Sequence, residues 1–109
     1  MEKVLYVFLL LLAAIVTLPV AGCRDRMDRQ SGGELFSLHC ASCHPGGANT
    51  LTPTKTLRAT DLQASDITTP EDIVEKMRNP GPGMPKFTDA MIPEKQALQI
   101  ATYILLSFH

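Results

Sequence analysis

The chain has 109 residues, of which 45% are hydrophobic and 19% charged, with a formal net charge of −1 at pH 7. That length allows one small domain. The near-balanced charge, with no basic stripe along the chain, argues against nucleic acid as a partner.

Residues 1–22, MEKVLYVFLLLLAAIVTLPVAG, hold one Lys near the start, an apolar run over residues 4–18 and a break at Pro19. This is the pattern of a secretory signal. The run is a little short for a membrane-spanning helix, which needs about 20 apolar residues. The segment VAGC at 20–23 resembles the bacterial lipoprotein box, in which the signal is cut before the Cys and a diacylglyceryl group is attached to its thiol. Val20 stands where Leu is commoner. Ordinary cleavage after Ala21 or Gly22 and an uncleaved anchor are the alternatives, and in each case the remainder is exported. Export means an oxidising compartment, where three cysteines leave an odd thiol. Lipidation of Cys23 removes it and leaves Cys40 and Cys43 as a pair.

The mature chain, 23–109, is 87 residues long. Without Lys3 and Glu2 it has nine basic and ten acidic side chains, still −1. A domain of this size usually needs a disulfide, metal or cofactor to supplement its core. Residues 23–31 read as a lipidated N-terminus followed by a polar tether, and residues 32–109 as the folded domain. Residues 34–44 fit a first helix, with Leu35, Phe36, Leu38 and Ala41 available for packing and Pro45-Gly46-Gly47 as its stop. Residues 48–60 read as an ordered loop and 61–65 as a short helical turn. Thr69-Pro70-Glu71-Asp72 has the form of a helix start: a capping Thr, Pro at the first position, acids in the first turn. Ile73, Val74 and Met77 follow at helical spacing. The run NPGPGMP at 79–85 cannot be helix or central strand, since prolines remove amide donors. Residues 93–108 place Ala97, Ile100, Ala101 and Ile104 at i, i+3, i+4, i+7, a helix apolar over most of its surface. The fold class is all-α, three to four short helices with much loop.

The stretch LHCASCHPGG holds Cys40, Cys43 and His44 in the spacing C-x-x-C-H, the attachment sequence of c-type haem. At helical spacing i, i+3 and i+4 share one side. Each thiol can then add across a haem vinyl group, and the imidazole can reach the iron. A thioredoxin-like C-x-x-C would follow a strand, whereas here the preceding segment is helical. A zinc site would need a fourth ligand from His39 or His109, and His39 is expected to point off the shared face. A disulfide between Cys40 and Cys43 would leave His44 unexplained. One such motif means one haem. For the other side of the iron the candidates are Met27, Met77, Met84, Met91, His39 and His109. Met77 and Met91 read as core filler. Met84, between Gly83 and Pro85 in a rigid loop, is the favoured ligand because no packing pattern accounts for it.

Residues 31–109 resemble a class I cytochrome c, nearest the small soluble cytochromes of algal and cyanobacterial lumens and their bacterial relatives. The matching pieces are Gly32, Phe36, Cys40, Cys43 and His44 in G-x-x-x-F-x-x-x-C-x-x-C-H, then HPGG, KTL at 55–57, GMPKF at 83–87 and IATYIL at 100–105. The resemblance implies a class I cytochrome c fold around one covalently bound haem c. It implies that Gly32 and Phe36 cross Ile100 and Tyr103, and that Pro53 offers its carbonyl to the second ring nitrogen of His44. It also implies a one-electron carrier with His44 and Met84 as axial ligands, not an enzyme. Its partners would be redox proteins at a membrane surface, reached from an anchor at Cys23 in an extracytoplasmic compartment. The other readings are a haem-based sensor and a cytochrome subunit of a larger membrane oxidoreductase.

Overall fold

The computed structural model describes residues 1–7 and 31–109. Residues 2–7 are helical. The rest of the expected leader, with Cys23, Met27 and most of the tether, lies outside the described residues. Among these no helix is long and apolar enough to cross a membrane.

Four helices build the domain: α1 (Gly32–His39), α2 (Ala59–Ala64), α3 (Pro70–Arg78) and α4 (Glu94–Ser107), with a single 3₁₀ turn at Pro45–Gly47. No strand occurs among the described residues. Helix α1 begins at Ser31, whose hydroxyl accepts from the Glu34 amide at 3.2 Å while the Glu34 carboxylate accepts from the Ser31 amide at 2.8 Å. Two of the donors that a helix start leaves unpaired are thereby satisfied. Helix α3 begins the same way, with Thr69 and Asp72 in those roles and Pro70 at the first position.

Helices α1 and α3 both pack on α4. The core is formed by Leu35 and Phe36 of α1, Leu62 of α2, Ile73, Val74 and Met77 of α3, Ile92, and Ala97, Ile100, Ala101 and Ile104 of α4. Each fully buried aliphatic side chain contributes about 1.5–3 kcal/mol. Phe36, Tyr103 and Phe108 add an aromatic cluster with ring centroids 5.3–5.9 Å apart.

Three expectations change. Helix α1 ends at His39, where Cys40 leaves the helical region with φ −121°. Leu38 is exposed, because the buried arc of α1 is centred between Leu35 and Phe36 and Leu38 falls outside it. Met91 is also exposed, and its neighbour Ile92 is completely buried in the place foreseen for it. The chain turns at Thr88, whose carbonyl accepts from both amides, and the turn directs the second side chain inward.

Candidate functional site

Although α1 stops at His39, the chain makes one further turn. The carbonyl of Cys40 accepts from the amides of Cys43 at 3.2 Å and His44 at 2.9 Å. Cys40, Cys43 and His44 therefore remain within one turn of backbone. Cys40 is buried and Cys43 half-buried, and both are free thiols. Burial pushes the Cys40 thiol up to about 11. A reactive dithiol works through a depressed thiol pKa, so this environment is opposite to that of a redox C-x-x-C. Among the described residues no group of three His, Cys, Asp or Glu side chains is placed to hold a metal ion by itself.

After His44 the 3₁₀ turn doubles the chain back. Gly46 and Gly47 have φ of +60° and +81°, a region where a side chain would be strained. The turn brings the carbonyl of Ala48 to Nδ1 of His44 at 2.8 Å. A carbonyl only accepts, so Nδ1 carries the proton and Nε2 keeps its lone pair for a ligand. The expected partner, Pro53, does not serve. It is exposed, because the positive-φ turn delivers a carbonyl only four residues along before the chain reaches it.

A mostly apolar cleft, open to solvent, lies at this turn. Its wall comprises His39, Cys40, Ser42, Cys43 and His44, then Asn49, Leu51 and Thr52, then Pro82, Gly83, Met84, Pro85 and Phe87. The second wall segment is ordered by Asn49, whose side-chain oxygen accepts from the amides of Leu51 and Thr52 while its NH2 donates to the Lys55 carbonyl. The third is the proline-rich loop between α3 and α4. Gly83 has φ +92° there, and a Cβ on it would touch Leu51 at 3.4 Å.

The structure thus brings Cys40, Cys43, His44 and Met84 to one cleft. His39, expected to point away, lies there too, edge-on to Phe87 with ring centroids 6.5 Å apart, because it stands i+4 from Leu35 on the buried side of α1. His109 is exposed at the chain end and Met77 is core. Asn49, Leu51, Thr52 and Phe87 were not anticipated. Asn49 had a sequence signal, as Asn often closes a turn with the amide two residues on. The donor set fits a covalently held haem: two thiols and an imidazole within one turn, an Nε2 lone pair, and a thioether sulfur on the same mostly apolar cleft.

Residues 28–104 match the family described as cytochrome c oxidase, cbb3-type, subunit III. The chain is 33% identical over 103 residues to cytochrome c6 of Nostoc sp., spanning 94% of this chain and 92% of that one. Among solved structures, OmcF, an outer membrane cytochrome of Geobacter sulfurreducens, is 52% identical, with a TM-score of 0.71, over 72% of this chain and 100% of that one. Cytochrome c6 of the diatom Phaeodactylum tricornutum is 32% identical, with a TM-score of 0.63, over 70% and 88%. Relatives of this kind hold one haem c through a C-x-x-C-H sequence, which Cys40, Cys43 and His44 provide here.

Proposed function

The chain belongs to the cytochrome c6-like class I monohaem cytochromes, small haem-c electron carriers, and from that premise we propose a one-electron carrier with His44 and Met84 as axial ligands. The observation that carries the reading is the convergence of the Cys40–His44 turn and Met84 on one cleft, with His44 Nδ1 already committed to Ala48. When bound, haem supplies a one-electron couple between ferric and ferrous iron. His44 presents Nε2, and the hydrogen bond from Nδ1 fixes its ring and tautomer. Met84 presents a thioether, which favours the ferrous form and raises the potential relative to a second imidazole. With both side chains engaged, iron held there would have no open position for a substrate, so the role would be transfer and not bond chemistry.

Partners would dock where the cleft opens, near Cys43, Gly46 and the Met84 loop, through a small and transient contact. The VAGC segment and the likeness to an outer membrane cytochrome support export and an anchor at Cys23. Residues 24–31 would then limit the domain's reach to about 28 Å, at roughly 3.5 Å per extended residue. Such a tether concentrates the domain near partners on the same membrane.

Optical spectra of the exported protein, oxidised and reduced, test the ligands. A low-spin spectrum with the weak charge-transfer band of methionine-bound ferric haem, lost in Met84→Ala, is expected. A high-spin spectrum would shift the reading to a sensor. The family match at residues 28–104 also favours a second reading, a subunit of a larger membrane oxidase. Stable co-purification with a larger membrane complex would favour it over a free carrier.

A further inference from the structure

The loop that presents Met84 is short of backbone donors. Pro80, Pro82 and Pro85 have no amide hydrogen to donate, and Gly81 and Gly83 add backbone freedom. Its shape depends on its two ends, and both ends meet at Arg78. The Phe87 amide donates to the Met77 carbonyl at 2.9 Å, and the Phe87 carbonyl accepts from Arg78 Nη1 at 3.0 Å. Arg78 Nη2 donates to the Ile92 carbonyl at 3.0 Å, reaching the segment that leads into α4. It also meets the carboxylates of Asp89 at 3.0 Å and Glu94 at 3.3 Å.

These four partners are unequal. The carboxylates of Asp89 and Glu94 lie on side chains that are 75% and 60% exposed, where ion pairs are worth little. The Arg78 side chain is only 18% exposed. Its bonds to the carbonyls of Phe87 and Ile92 are charge-assisted and part-buried, which makes them stronger than neutral ones. They need a planar fork with separate nitrogens, which a lysine ammonium does not supply.

We propose that Arg78 is the positioning residue of the Met84 loop, pinning the Phe87 end to the last turn of α3 and the start of α4 so that Met84 stays on the iron. The proposal rests on Met84 being the sixth ligand. It assigns Arg78 a role in ligand retention beyond its part in folding.

The test uses the haem-loaded protein and reads carbon monoxide binding to the ferrous form, the ferric methionine band during heating, and exchange of the Phe87 amide. In Arg78→Ala, loss of charge-assisted bonds should make carbon monoxide binding about tenfold faster. The band should disappear at a lower temperature, and Phe87 should exchange faster while the amides of α4 keep their protection. Arg78→Lys should move the same way, since it keeps the charge but not the fork, and it is the variant to read if Arg78→Ala does not fold. Glu94→Gln should behave like the wild type. A folded Arg78 variant with wild-type carbon monoxide binding and an intact band overturns this proposal while leaving Met84 ligation standing. A wild-type protein that lacks the band and binds carbon monoxide freely overturns Met84 ligation itself, and Arg78 positioning with it.

Discussion

Gly32 lies so close to Gln99 that a Cβ on it would stand 2.2 Å from the Gln99 carbonyl oxygen. The same Cβ would meet the Tyr103 Cβ at 2.9 Å. Helices α1 and α4 therefore cross with backbone nearly touching backbone, and Phe36 lays its ring against Tyr103 beside the crossing. The crossing fixes how the Cys40–His44 turn, one step beyond α1, is presented to the cleft.

Gly32→Ala should consequently destabilise the domain although Ala favours helix. The obstacle is backbone of α4, which cannot turn aside as a flexible side chain can, and forced overpacking costs about 1–3 kcal/mol. For a domain of this size, each kcal/mol lowers the melting temperature by roughly 4–8 °C. Gly33→Ala is the matched control, because its Cβ would meet only the edge of the Tyr103 ring, at 3.0 Å. Thermal unfolding of the haem-loaded variants checks this. A Gly32→Ala protein as stable as Gly33→Ala would show that the helices separate without cost.

The start of α3 gives a prediction in pH. The amides of Thr68 and then Thr69, with the Thr69 hydroxyl, hold the Asp72 carboxyl below its ordinary value of 3.8. The Thr56 hydroxyl and then its amide act the same way on Asp61. A carboxyl whose pKa is lowered by folding favours the native state above its unfolded pKa. That contribution is lost as pH falls through the folded value. Thermal stability should accordingly be level near neutrality and decline below about pH 4. Asp72→Asn should flatten part of that acid limb, and Asp61→Asn with Asp72→Asn should flatten more. An acid limb unchanged in the double variant would assign the decline to other groups.

What the sequence made legible was local. Thr69 and Pro70 announce α3 because a cap and a fixed φ act within one turn, and Ala97, Ile100, Ala101 and Ile104 announce α4 by period alone. The Ser31-to-Glu34 box has an equally local signature, but the polar tether that runs into Ser31 disguised it. Leu38 and Met91 could not be placed, since which arc of α1 and which residue before α4 turn inward depends on the helix crossing. The Ala48 partner of His44 depends on two positive-φ glycines that the sequence permits without specifying. Arg78 was invisible for a different reason. Its acceptors lie 9 to 16 residues further along, and only the folded loop gathers them.

The anchor yields the last prediction. The VAGC segment makes Cys23 the candidate point of attachment to a bilayer. One acyl chain binds a membrane only marginally, and stable anchoring takes two signals. A diacylglyceryl group at Cys23 supplies two chains and should place the protein almost wholly in the membrane fraction. Cys23→Ala should prevent modification and processing at that site, which separates the three routes by mass and location. If the wild-type protein is lipidated, its mature N-terminus is Cys23 and its mass includes the lipid. If an ordinary signal peptidase acts, both proteins are soluble, lack lipid and begin at or near Gly22. If the leader is retained, both stay in the membrane at full length. Mass spectrometry of membrane and soluble fractions reads all three, and only the first outcome supports a tethered carrier confined to partners on its own membrane.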